Sequence, residues 1–112
     1  MDKAKVDQLK EFLNSADDWE KMKVDDGILI VKMPATKKFK AKLGVEVIPV
    51  SEDGTAIKKK GLYVLTKDVL EAFRRVFNSN KLDTLLSGIE EVNSTKTTES
   101  KAEGKVTGTF EL

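Results

Sequence analysis

The stretch Lys37-Lys38-Phe39-Lys40-Ala41-Lys42-Leu43-Gly44-Val45-Glu46-Val47 decides the fold class. Lys37, Phe39, Ala41, Leu43, Val45 and Val47 fall on one face, and Thr36, Lys38, Lys40, Lys42, Gly44 and Glu46 on the other. A period of two held this long is that of a strand, because successive side chains leave an extended backbone on opposite sides. Ser51-Glu52-Asp53-Gly54 supplies the next turn, and Thr55 to Leu65 reads as the returning strand, richest in β-formers at Leu62-Tyr63-Val64-Leu65. Two registers are open: a four-residue loop pairs Val50 with Thr55, and a three-residue loop with Gly54 left-handed pairs Ser51 with Thr55. In both, Gly44 lies opposite or beside Gly61, which predicts a bulge or bend.

Towards the N-terminus, Asp25-Asp26-Gly27 separates two apolar runs and predicts a hairpin with strands at about 19 to 24 and 27 to 33. Before it, Val6, Leu9, Leu13 and Ala16, with Phe12 beside them, recur at helical spacing over residues 2 to 16. Towards the C-terminus, Thr66 caps a helix whose stripe is Val69, Leu70, Phe73, Val76 and Phe77, and Asn78-Ser79-Asn80 breaks it. Ser79 or Asn80 caps a second helix, with Asp83 in its first turn and Leu82, Leu85, Leu86, Ile89 and Val92 as its apolar face.

The element order α-β-β-β-β-α-α predicts an α+β two-layer sandwich, a four-stranded antiparallel meander with helices packed on one face. Residues 1–92 read as a single domain. Residues 93–112 read as a flexible tail, since 93–104 hold no large apolar residue. Val106, Phe110 and Leu112 alternate with polar neighbours, so 105–112 can form a short terminal strand.

Composition excludes much chemistry. The 112 residues contain no cysteine and no histidine, which removes thiol nucleophiles, disulfides, thiolate metal sites and imidazole bases. There is no glycine-rich phosphate loop, no spacing that pairs a serine with a lysine, and no motif for a cofactor. The longest apolar run, Ile28 to Val31, is far too short for a membrane span, and no secretory apolar run follows Met1 to Lys5, so a cytoplasmic protein without membrane contact is expected. The lysine-rich, glutamine-poor balance is one that heat-adapted proteins share.

Three constellations stand out. Residues 35–65 hold seven basic and three acidic residues, whereas the whole chain is near neutral at +1. Lys38, Lys40 and Lys42 lie on one strand and Lys58, Lys59 and Lys60 on its expected neighbour, a ribbon that could meet nucleic-acid phosphate or simply keep a sheet face solvated. Against nucleic acid stand the two arginines, Arg74 and Arg75, placed on a helix, and an aromatic supply limited to Phe39, assigned to the core, and Tyr63. The second constellation is the strand in which Ile28 and Ile30 point one way while Leu29, Val31 and Met33 point the other; both faces want burial, and helices cover one. The third comprises Asp17-Asp18, Asp25-Asp26 and Glu52-Asp53, which match no calcium loop and read as turn chemistry, so no metal is expected. Trp19 reads as a core anchor beside the first helix, with a ligand-stacking platform as the alternative.

The expected function is therefore a small non-enzymatic interaction module. It would pair with a second copy, as a homodimer, or with another protein, through the open sheet face (Ile28, Leu29, Ile30, Val31, Met33) or the C-terminal segment (Val106, Phe110, Leu112). The alternative is weak nucleic-acid binding by Lys38, Lys40, Lys42, Lys58, Lys59 and Lys60.

Overall fold

The computed structural model describes residues 1–94 and 107–111. Its element order is α1 (Lys3–Ser15), β1 (Lys21–Asp25), β2 (Ile28–Met33), β3 (Lys42–Val47), β4 (Leu62–Val64), α2 (Lys67–Phe77) and α3 (Asn80–Asn93). The four strands form one antiparallel sheet in the order β1-β2-β3-β4, so the α+β class and the element order agree with the expectation. The chain divides into two compact units, Met1–Glu71 and Ala72–Leu112.

In the first unit, Asp2 caps α1 by accepting the Lys5 N–H at 2.9 Å, and Ala16 leaves the helix in extended conformation. Val6, Leu9, Phe12 and Leu13 are half-buried, as an amphipathic helix requires. The Lys32 ammonium donates to the Ala16 carbonyl at 2.8 Å, tying the last turn of α1 to β2. This orphan carbonyl at a helix end is where the macrodipole favours a cation. The β1–β2 hairpin turns at Asp26-Gly27, with Gly27 at φ +80 and a bulge between Lys23 and Asp25.

The third strand is shorter than its alternation predicts. It starts at Lys42, because the Thr36 hydroxyl accepts the N–H groups of Lys38 (3.3 Å) and Phe39 (3.0 Å) while the Thr36 N–H donates to the Phe39 carbonyl at 2.8 Å. That local turn uses the groups a strand would have paired, and Phe39 is exposed rather than in the core. Alternation within β3 is as expected, but burial is inverted. Gly44 and Glu46 are buried, while Val45 and Val47 are exposed.

The return from β3 contains a three-residue insertion. Ser51 pairs with Thr55 around a loop with Gly54 at φ +89, the second of the two registers, and Val50 bridges Ala56. Val47 nevertheless pairs with Leu62, so Lys58, Lys59 and Lys60 are left outside the ladder and β4 is only Leu62–Val64 instead of Thr55 to Leu65. Val45 pairs with Val64, which sets Gly44 against Leu65 and Gly61 near Ile48, and the two glycines do not meet.

In the second unit, Ser79 caps α3 by accepting the Lys81 N–H at 3.2 Å, and Asp83 lies in its first turn. The Phe73 and Phe77 rings of α2 stack with centroids 6.0 Å apart. Helix α3 runs through Asn93, so the expected tail begins one residue too early; its remainder falls mostly on residues 95–106, outside the described ones. Thr66 accepts the Val69 N–H at 3.2 Å, as the predicted cap of α2.

Candidate functional site

The register sorts the sheet into two faces of opposite chemistry, since directly paired residues share a side. One side carries Met22, Ile28, Ile30, Leu43, Val45, Val47, Leu62 and Val64. Two charged strand residues belong to this side: Lys32, whose ammonium is held by the Ala16 carbonyl, and Asp25, which pairs with Ile28 at the end of β1. Of the apolar side chains here, Met22, Ile28, Val45, Val47 and Leu62 remain 36–43% exposed. Of the apolar residues expected to form an interaction face, Ile28 and Ile30 belong to this side. Leu29, Val31 and Met33 belong to the other, where Val31 is fully buried and its two neighbours are half-buried.

The second side carries Lys21 and Lys23 from β1, Leu29, Val31 and Met33 from β2, Lys42, Gly44 and Glu46 from β3, and Tyr63 from β4. Its centre is the Glu46 carboxylate, wholly buried, with Oε1 2.7 Å from the Lys21 ammonium and Oε2 accepting the Gly61 N–H at 3.0 Å. Oε1 takes no other partner among the described residues. Burial pushes this carboxyl up, but the Lys21 hydrogen bond, the Gly61 N–H and the charges of Lys21 and Lys60 outweigh it and hold it below its usual value. The same hydrogen bond raises Lys21 against the opposing effect of burial. Sequence reading placed Glu46 on the solvated lysine face. The signal that could have found it is the shortness of Gly44, which leaves room for neighbouring side chains to close over that side: Met33 Sδ and Leu65 Cγ lie 3.1 and 3.5 Å from where a Cβ would be.

Trp19 also departs from its expected role. It is half exposed, at φ 66, with its ring centroid 6.1 Å from that of Tyr63 and the planes at 45°. It is therefore not a buried anchor. The Trp19 N–H donates to the Lys32 carbonyl at 2.7 Å, which extends the β1–β2 pairing past the strand end.

The six candidate lysines are not brought together. Lys38 and Lys40 lie in the β2–β3 connection, Lys42 opens β3, and Lys58, Lys59 and Lys60 occupy the insertion beyond the other end of β3. Six residues of strand, roughly 20 Å, separate the two groups. Lys42 is instead engaged locally, with its ammonium 4.6 Å from the Phe39 ring centroid.

The acidic pairs behave as turn chemistry. Asp53 accepts from the Ser51 hydroxyl and, at 3.0 Å, from the Thr55 N–H, which lowers its pKa; Asp25 accepts the Asp26 N–H at 2.8 Å. Among the described residues no group of carboxylates is arranged to hold a metal. No described helix is long and apolar enough to cross a membrane.

In the second unit, Phe110 lines an open apolar groove of about 400 Å³ on α3, together with Leu85, Gly88, Ile89 and Val92. Val106 and Leu112, the other C-terminal candidates, lie outside the described residues. Compared with protein-family models, with curated proteins and with solved structures, the chain matches none, so what it does has to be argued from these surfaces.

Proposed function

We propose that this protein is a small non-enzymatic interaction module that self-associates through the apolar side of its sheet. The observation that carries this reading is the cross-strand rows Met22–Ile30–Val45–Val64 and Ile28–Val47–Leu62, in which Met22, Ile28, Val45, Val47 and Leu62 are exposed, Ile30 is half-buried and Val64 alone is buried. Contiguous apolar surface of this kind marks an interaction site, whereas scattered single residues do not. The interior supports the same reading: among the described residues the buried apolar side chains are Ala16, Val31 and Val64. Covering the open face adds apolar burial at ~25 cal/mol per Å², which the fold by itself leaves unused. A second copy presents the same patch and is self-complementary in chemistry about a two-fold axis.

Sedimentation equilibrium at two protein concentrations tests this, on the wild type and on a variant carrying Val45→Lys and Val47→Lys. The wild type is expected to shift toward dimer with concentration and the variant to remain monomeric with an unchanged circular dichroism spectrum. A wild type that stays monomeric at the higher concentration overturns self-association.

A further inference from the structure

The opposite side of the sheet has the chemistry of a different ligand. We propose that single-stranded nucleic acid stacks on Trp19 and Tyr63, with its phosphates held by Lys23 and Lys42. This site is separate from the apolar face and differs from a lysine ribbon, because its organising feature is an aromatic pair.

Two observations point to stacking. Trp19 and Tyr63 are each substantially exposed, 50% and 39%, although their rings meet with centroids 6.1 Å apart. A pair formed only to fill a core would be buried, since such rings carry the largest apolar area in a domain. Trp19 also adopts φ 66, a region that bulky L residues rarely enter and that costs on the order of 1–3 kcal/mol. Its neighbours hold it there. The Trp19 N–H donates to Lys32, the Glu20 N–H donates to Asp17 at 3.0 Å, and the Glu20 carboxylate accepts the Asp17 N–H at 2.8 Å. The strain is spent in bringing the indole against Tyr63, where it stays open to solvent.

The charges on this side select the ligand. The titratable groups that the strands direct here are Lys21, Lys23, Lys42, Glu46 and Tyr63. The one carboxylate that the strands direct to this side, Glu46, is wholly buried and consumed by Lys21 and the Gly61 N–H, so the charge that the strands themselves present to solvent here is lysine, beside the exposed Asp17, Asp18 and Glu20 that flank Trp19. Among the described residues Lys23 is paired with Asp26 alone, at 2.9 Å between two exposed groups. Such a pair is weak in water and readily exchanged for a phosphate. Lys42 stands over the exposed Phe39 ring, a further flat apolar surface next to a cation. Exposed aromatic rings and solvent-facing lysines on one surface are the two elements with which proteins hold single strands without reading their sequence. Duplex offers its bases edge-on and cannot stack in this way.

Trp19 is the only tryptophan, so its fluorescence reports on the site directly. The purified full chain is titrated with oligo(dT) and oligo(U) at about 50 and about 200 mM salt, and with a duplex of equal length. Quenching by the single strands is expected, weaker for duplex, with affinity falling roughly sevenfold between the two salts for two phosphates at ~0.7 per phosphate in the salt slope. Lys23→Glu with Lys42→Glu is expected to weaken binding at least tenfold and flatten the salt dependence. A labelled oligonucleotide followed by anisotropy carries the test to Tyr63→Leu and Trp19→Leu, each checked for folding by circular dichroism, with a loss of at least tenfold expected. Three results would overturn the proposal: no quenching at the lower salt, quenching indifferent to both salt and the two charge reversals, or undiminished anisotropy binding by folded aromatic variants. Should the aromatic variants fail to fold, the charge reversals decide alone.

Discussion

The Lys21 ammonium lies 2.7 Å from Oε1 of Glu46, a carboxylate with no solvent exposure, and thereby joins β1 to β3 across the intervening β2. The other oxygen takes the Gly61 N–H, so one side chain connects the sheet's first strand to the approach to its last. A buried pair of this kind adds little net stability over a well-packed apolar pair, because desolvation offsets the attraction. Its effect is on specificity. The carboxylate keeps both partners only when β1, β2, β3 and β4 all sit in the observed register, and a slip of β4 by one residue would take the Gly61 N–H away from a buried oxygen.

Removing the cation while keeping the acid should therefore be far worse than removing both. Lys21→Met is expected to cost about 3 kcal/mol, toward the low end for a stranded buried charge because Lys21 itself is partly exposed. Lys21→Met combined with Glu46→Leu is expected to recover most of that loss. Urea unfolding of the two variants checks it; a double variant no more stable than the single would show that the pair contributes through attraction itself.

The same carboxylate sets a pH dependence. Glu46 is held below its usual value near 4.5, so its contribution is complete above that pH and is lost as pH falls through the lower folded value. Asp53, also lowered, acts in the same direction and stays in place in the comparison. The wild-type urea midpoint is expected to fall more steeply below pH ~4.5 than that of Glu46→Gln, which keeps an acceptor for Gly61 but does not titrate there. Parallel curves would mean that Glu46 carries no ionisation-linked stability.

The alternation from Lys37 to Val47 carries the antiparallel sheet, and the period was legible because only extended backbone produces it. Which side is buried was not legible. Periodicity assigns faces by apolar count, and here the side with fewer apolar residues closes over Val31, Gly44 and Glu46 while Val45 and Val47 stay open. The strand ends failed for another reason. At Thr36 a hydroxyl competes for backbone groups, and at Lys58 to Lys60 three inserted residues leave the ladder, and neither event alters a hydrophobic pattern. The Trp19–Tyr63 contact depends on a positive φ at a bulky residue, for which composition offers no signal. The caps at Thr66 and Ser79 were readable because capping chemistry is local.

Thr36 offers a direct test of that competition. Thr36→Val keeps the shape and removes the acceptor for the Lys38 and Phe39 amides. Those two amides are expected to exchange with solvent faster in the variant, with global stability changed by no more than about 1 kcal/mol. Unchanged exchange would show that the Thr36 N–H to Phe39 carbonyl bond holds the turn without the hydroxyl.

The inverted burial of β3 predicts unequal costs for equal truncations. Val31→Ala, at a fully buried position opposite Gly44, is expected to cost about 2 kcal/mol because neighbouring strands cannot collapse into the space. Val45→Ala, one residue from Gly44 but on the open side, is expected to cost less than about 1 kcal/mol in dilute protein. Thermal unfolding of both variants measures this, and equal losses would mean that the apolar side is covered in solution.

Two glycines give opposite predictions under one substitution. A Cβ at Gly61 would overlap the Val47 carbonyl oxygen and crowd the Ile48 Cα at 2.9 Å, backbone atoms that cannot yield without breaking the β3–β4 pairing. Gly61→Ala is therefore expected to destabilise by at least about 2 kcal/mol. In the middle of α3, a Cβ at Gly88 would meet nothing within 4 Å, so Gly88→Ala relieves the entropic cost of a helical glycine with no steric penalty. It is expected to stabilise by roughly 0.5–1 kcal/mol. The measurement is urea unfolding followed by circular dichroism. A loss at Gly88 would reveal a neighbour packed close to the groove that Leu85, Ile89 and Phe110 line, because only an atom already in that space could turn the gain into a cost.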